Sequence, residues 1–192
     1  MVRCLPAGKG TEMNVRIISG VYGGRSIEGS GTDRTHPMGE RIRNALFNKI
    51  GDEIIGASVL DAFAGSGALG LEAVSRGAVQ AIMIDKDRVA QNIIKKNIAT
   101  LDAATYAKLI KGSVATVIEK LDQQFDIIFA DPPYHETQFS TVIKLFALLK
   151  PNGLMVLSYP GRGEAPTGAE VVVVDNRSYG NAALTFYRRI NE

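Results

Sequence analysis

From Ser58 onward the sequence alternates short apolar runs with amphipathic stretches of helical spacing. The runs "SVLDAFA", "QAIMID", "AKLIKGS", "FDIIFA" and "LMVLSY" read as strands. Between them "GALGLEAVSRG", "KDRVAQNIIKKNIATL", "VATVIEKL" and "FSTVIKLFALLK" read as helices, the first closed by Gly77 and the last stopped by Pro151-Asn152-Gly153. Few architectures accept that order. Parallel neighbours need crossover helices, which then cover both faces of the sheet. The last pieces, "AEVVVVDNRSYG" and "ALTFYRR", read as two strands joined by a turn, with Val171–Val174 expected to be buried. The expected fold is α/β: a mostly parallel seven-stranded sheet with an antiparallel C-terminal strand.

The chain has 192 residues, enough for one domain with an appendage but not for two full domains. Residues 1–13 are expected to be a poorly ordered leader. Residues 14–51 form a β-hairpin, "VRIISGVYGGRSIEG", and an amphipathic helix, "ERIRNALFNKIGDEI", that ends near Gly51. Residues 52–192 form the main domain. No run of about 18 apolar residues suggests a membrane span, and the opening lacks the apolar core of a secretory signal. One cysteine, Cys4, makes no internal disulfide, thiolate zinc site or iron–sulfur cluster, and two histidines, His36 and His135, add little. A metal-free protein of a reducing, cytoplasmic compartment is expected. Net charge is +2 but uneven: residues 1–50 sum to +4 and the remainder to −2. That basic quarter suggests an edge facing a polyanion, or simply a solvated surface.

The strand "SVLDAFA" runs straight into Gly65-Ser66-Gly67-Ala68-Leu69-Gly70, a G-x-G-x-x-G that opens a helix. Glycine permits the tight turn and lets a ligand approach the backbone without meeting a Cβ. Twenty residues after Gly65, Asp85 ends the next strand, where a carboxylate accepts hydrogen bonds from ribose hydroxyls. A Rossmann-like ligand site is expected. A nicotinamide dinucleotide would set its pyrophosphate at the helix N-terminus. S-adenosylmethionine has no phosphate but carries cationic groups, which Asp61 suits and a pyrophosphate would not. The balance favours the sulfonium cofactor.

The run "FDIIFA" closes on Asp131-Pro132-Pro133-Tyr134, beyond the fourth strand and beside the first. Ligands of open α/β sheets bind at that crevice. The prolines stiffen the loop and leave carbonyls free to accept, while Tyr134 offers a flat face for stacking. A carboxylate, a free carbonyl and an aromatic plate suit an exocyclic amine on a planar base. Such an amine is a poor nucleophile because its lone pair is delocalised. Hydrogen bonds to Asp131 and a proline carbonyl would aim that lone pair at a methyl donor. Methylation at a pyrimidine ring carbon would require a thiolate, and Cys4 is badly placed for it.

The segments "RIISGVYGGR", "RIRNALFN", "LDAFAGSGALGLEAVSRGA" and "DIIFADPPY" together resemble the RsmD family of bacterial 16S rRNA guanine-N2 methyltransferases, from Met13 to Arg189. The resemblance implies a class I S-adenosylmethionine-dependent fold with an N-terminal hairpin. Its implied substrate is a guanine amine of 16S rRNA, within a partly or fully assembled small ribosomal subunit. It implies catalytic roles for Asp131, Pro132 and Tyr134, and cofactor contacts from Asp61, Phe63, Ala64, Gly65, Gly67, Asp85, Ser113 and Asp131. Arg16, Arg25, Arg34, His36, Arg41 and Arg43 would then face RNA phosphates around an extruded base. This chain departs from the family pattern at His36-Pro37-Met38, Asp85, Ser113 and Ser158. N6-adenine methylation of DNA or RNA and nicotinamide binding are the competing readings.

Overall fold

A computed structural model describes residues 14–30, 38–133, 138–161, 164–180 and 182–190. The expected leader, Arg34, His36, Tyr134 and His135 lie outside the described residues. The chain opens with a two-stranded antiparallel ribbon, β1 (Asn14–Arg16) against β2 (Ser26–Glu28), with Val15 opposite Ile27. Helix α1 (Glu40–Ile50) follows and buries Leu46, Phe47 and Ile50.

The main sheet holds β3 (Ser58–Asp61), β4 (Gln80–Asp85), β5 (Ala107–Lys111), β6 (Phe125–Ala130), β7 (Leu149–Pro160), β8 (Val171–Tyr179) and β9 (Ala182–Arg189). Their order is β5-β4-β3-β6-β7-β9-β8. Strands β5 to β7 pair in parallel, while β9 runs antiparallel to both its neighbours. The seven-stranded sheet with its reversed C-terminal strand and leading hairpin is the one the sequence predicts. Helices α2 (Ala68–Ser75), α3 (Arg88–Leu101), α4 (Val114–Ile118) and α5 (Phe139–Leu145) make the crossovers. Among the described residues no helix is long and apolar enough to cross a membrane.

Alternate residues of the central strands feed two cores, because successive side chains leave opposite faces. Val59, Ala81, Met83, Ile127 and Phe129 join α1, α2 and α3 on one face. Leu60, Ile82, Ile84, Ile128 and Ala130 join α4 and α5 on the other.

Three expectations need correction. The strand expected to reach Ala64 ends at Asp61. Past it the Ala62 N–H bonds to the Phe129 carbonyl on β6 and the Ala64 N–H to the Ile84 carbonyl on β4. The chain thus turns across the gap between its two neighbours. The helix expected over residues 139–150 ends as a short 3-10 turn at Phe146–Leu148, and β7 begins at Leu149, which pairs with Phe125. Pro151-Asn152-Gly153 is an irregularity inside that strand, with Asn152 left-handed at φ 61° and the register shifted between Phe125 and Ile127. The Val171–Val174 run is no buried strand: Val172, Val173 and Val174 are exposed. It lies on the sheet edge, and a bulge between Val173 and Asp175 breaks the alternation.

The hairpin is fastened to α2, which packs on the main sheet. Glu72 is fully buried and accepts the backbone N–H of Ile18 at 2.7 Å and of Ser19 at 3.1 Å. Arg76 donates Nε to it at 2.7 Å, and the Arg43 guanidinium lies 4.0 Å away. The Ser75 hydroxyl accepts the Tyr22 N–H at 2.9 Å. Gly20 sits so close to α2 that a Cβ would stand 1.7 Å from the Ser75 carbonyl oxygen. A buried carboxylate is tolerated only when paired and hydrogen-bonded, and Glu72 is both.

Candidate active site

The expected site residues collect at the carboxyl ends of four adjacent strands. Asp61 ends β3, Asp85 ends β4, Ser113 follows β5 and Asp131 follows β6. In register Asp61 stands beside Met83 on one side and Phe129 on the other. Neighbouring strands are about 4.8 Å apart, so the three acids share one rim.

The glycine loop is built from this rim. Gly65 and Gly67 take positive φ, 55° and 79°, where an L side chain is strained. The Gly67 N–H closes a tight turn on the Ala64 carbonyl at 2.7 Å. Gly67 and Gly70 also serve packing, since a Cβ would meet Met83 Sδ at 2.9 Å in the first and Met83 Cγ at 2.8 Å in the second. The loop is also tied to the acids. Asp85 accepts the Gly65 N–H at 2.8 Å and, through its other oxygen, the Asp87 N–H at 2.8 Å. Asp61 accepts the Gly70 N–H at 3.0 Å.

Asp61 is buried, and its Oδ1 has no partner. Burial pushes its carboxyl up to about 7, with the charges of Asp131 and Asp85 adding to the rise. An orphaned acceptor at the foot of a glycine loop, among carboxylates, fits a cationic group. It would repel a pyrophosphate. Burial also raises Asp85. Phe63 is half-buried against the second core, and Ala64 is buried. Ser113 caps α4, its hydroxyl accepting the Thr116 N–H at 3.3 Å. Among the described residues no group of acids, histidines and cysteines could hold a metal ion.

Asp131 leaves β6 half-buried, followed by the buried Pro132. Burial pushes it up to about 6, and a hydrogen bond from the Ser158 hydroxyl works in the opposite sense. Ser158 is itself buried, one residue past the Leu157 that pairs with Ala130.

The expected RNA-facing arginines are dispersed. Arg43 is 2% exposed and donates to the Arg16 carbonyl, so it braces the hairpin from within rather than facing solvent. Arg16 pairs with Glu40. Arg25 donates to the Thr100 and Leu101 carbonyls at the end of α3 and lies 5.8 Å from the Tyr22 ring centroid. Arg41 is exposed. Sequence reasoning missed Asn97, which is buried and donates to the carbonyls of Ser66 and Glu28 at 2.9 and 2.8 Å. It binds the glycine loop to the hairpin. An asparagine on the buried stripe of a predicted helix was its only signal.

A seven-stranded sheet in this order, with one strand reversed between its two neighbours and a glycine loop after the first strand of the sheet, is the class I methyltransferase fold. The solved structure of yhhF from Escherichia coli, provisionally described as a methyltransferase, shares it: TM-score 0.82 and 31% identity, covering 94% of this chain and all of the other. The chain belongs to the family described as "Conserved hypothetical protein 95", matched over residues 15–188, which is the RsmD family. The relative named ribosomal RNA small subunit methyltransferase D in Haemophilus influenzae is 36% identical over 156 residues, 78% of this chain and 79% of its own length. Its namesake in Escherichia coli K12 is 37% identical over 139 residues, 72% and 68% of the two chains.

Proposed function

We propose that this chain transfers the methyl group of S-adenosylmethionine to the exocyclic N2 amine of a guanine in 16S rRNA, in the cytoplasm and within a partly or fully assembled small subunit. The observation that carries the reading is the placement of Asp131 on the same rim as the glycine loop and the unpartnered Asp61 oxygen. Relatives named as small-subunit rRNA methyltransferases over most of their length supply the substrate class.

When bound, S-adenosylmethionine would supply an electrophilic methyl on a sulfonium. Asp61 would accept from its cationic amino acid end, Gly65 would leave room for it to approach the backbone, Gly67 would hold the turn beneath it, and Asp85 would accept from ribose. Phe63, Ala64 and Ser113 would line the adenosine side. Asp131 and the Pro132 carbonyl would each accept one N–H of the guanine amine, drawing the nitrogen toward a tetrahedral shape. Tyr134 would stack on the base. Asp131 and the Pro132 carbonyl would aim the nitrogen lone pair at that methyl, and the sulfur would keep the C–S electron pair. The surplus amine proton passes to Asp131 or to water. Asp131 must be ionised when it receives the amine, and Ser158 supports that form. Holding both reactants in line supplies several kcal/mol of the barrier reduction, on the order seen for oriented intramolecular reactions.

Purified protein offered tritiated S-adenosylmethionine and NAD in parallel should retain only the first, and should pass label to 16S rRNA or small subunits. Label recovered as N6-methyladenosine would move the reading to the adenine amine. Retention of NAD alone would remove methyl transfer altogether.

A further inference from the structure

Among the described residues, the cations of the N-terminal quarter are mostly occupied by the protein itself, as the positions of Arg16, Arg25, Arg43 and Lys49 show. A second set is not. Lys111 ends β5 opposite Asp85 on β4. Strand alternation puts Lys111 on the same face as Leu109, which packs in the core that contains Ile94 and Ile98 of α3. Arg88 and Lys95 stand seven residues apart on α3, two turns, and therefore on one side of the helix. Both are exposed, as is Lys111.

These three groups crowd each other. The Lys95 ammonium first, and then the Arg88 charge, hold the Lys111 ammonium below the usual lysine range. Among the described residues no carboxylate pairs with any of the three. Like charges set side by side cost stability in both helices and sheets. Packing gains nothing from ammonium groups that solvent would otherwise separate. A bound anion does offset the repulsion, and the edge lies beside Asp85 at the cofactor end of the sheet.

We infer that Arg88, Lys95 and Lys111 form a phosphate-binding surface on the β5–α3 edge, and that it carries the phosphodiester backbone of the RNA substrate past the cofactor end of the sheet. The inference rests on the methyltransferase reading for the identity of its polyanion. Helix α3 connects this surface to the hairpin: it spans about 20 Å from Arg88 to the carbonyls that hold Arg25. The RNA-facing side is thus a ridge along α3 rather than the N-terminal quarter alone. Each phosphate contact adds affinity without sequence information and steepens the salt dependence.

The test measures binding of deproteinised 16S rRNA across a salt series for wild type, Lys95→Glu/Lys111→Glu and Lys95→Gln/Lys111→Gln, with melting temperature and S-adenosylmethionine retention recorded for each. The glutamate variant should bind about tenfold more weakly, with a log–log salt slope shallower by about one to two, and the glutamine variant should fall between. The glutamine variant should melt at or above the wild-type temperature, since its repulsion has been removed, whereas the glutamate variant keeps a like-charge pair beside Asp85; both should retain the cofactor normally. Unchanged affinity and slope overturn the inference, as does weakened binding by the glutamine variant that tracks a lowered melting temperature. Wild-type methyl transfer to rRNA, scored in the same preparations, reads the underlying function separately: a surface that fails beside active methylation leaves that function standing. If wild type transfers no methyl, the function falls while the salt slopes still report the phosphate contacts.

Discussion

Gly65 donates its backbone N–H to the Asp85 carboxylate at 2.8 Å, so the acid expected to hold ribose also holds the loop that frames the ligand. Asp85 accepts the Asp87 N–H as well, and Asp87 caps α3 by accepting the Ala90 N–H at 2.9 Å. Replacing Asp85 by Ala removes a charged acceptor from both partners. Dialysis against labelled S-adenosylmethionine should show about tenfold to a hundredfold weaker binding, the range for a hydrogen bond to a charged group. Asp85→Asn, which keeps one acceptor oxygen, should lie between. Wild-type affinity in the Ala variant would contradict this role.

Glu72 is the anchor of the appendage. Glu72→Ala leaves Arg43 buried without its nearest counter-charge and two backbone donors of residues 18 and 19 without an acceptor. A loss of about 3–5 kcal/mol is expected in urea unfolding, the range for breaking a buried ion pair. A loss under about 1 kcal/mol would show that the hairpin is held by its other contacts and not by Glu72.

Asp61 and Asp131, raised by burial to about 7 and about 6, make the ligand-free protein pH-sensitive in an unusual direction. Unfolded, both titrate near about 4. Between about pH 4 and 7 the folded state therefore binds more protons than the unfolded one, and stability from these groups falls as pH rises. Below that window their contribution is fully present. Asp61→Asn should flatten the decline of melting temperature between about pH 5 and 7.5 relative to wild type. An identical slope in both proteins would place the titration elsewhere.

Ser158 tunes the proposed base-holding acid. Its hydroxyl hydrogen-bonds Asp131 and favours the ionised form. Ser158→Ala should move the acid limb of the kcat profile to higher pH, with little change in cofactor binding. A uniform fall in kcat at every pH, without a shift, would assign Ser158 to packing only.

Much of this site was legible in the sequence because it depends on local order. Strand, glycines, helix and acid follow one another within thirty residues, and the D-P-P turn comes directly after its strand. What was hidden depends on distant partners. Glu72 reads as one polar residue in a helix until Ile18, Ser19 and Arg43 close around it. Arg43 reads as solvent-exposed for the same reason. Val172–Val174 reads as core because composition does not tell an edge strand from a central one. Asn97 and the Lys95–Lys111 pair become visible only when α3 is laid on the sheet.

The central claim is that a nucleobase amine gripped by Asp131 receives the methyl group, and nucleoside mass mapping of 16S rRNA from cells lacking this gene tests it most directly. The account predicts one missing N2-methylguanosine, restored by the wild-type protein and not by Asp131→Ala. An unaltered set of guanosine methylations, or restoration by the Asp131 variant, would contradict it.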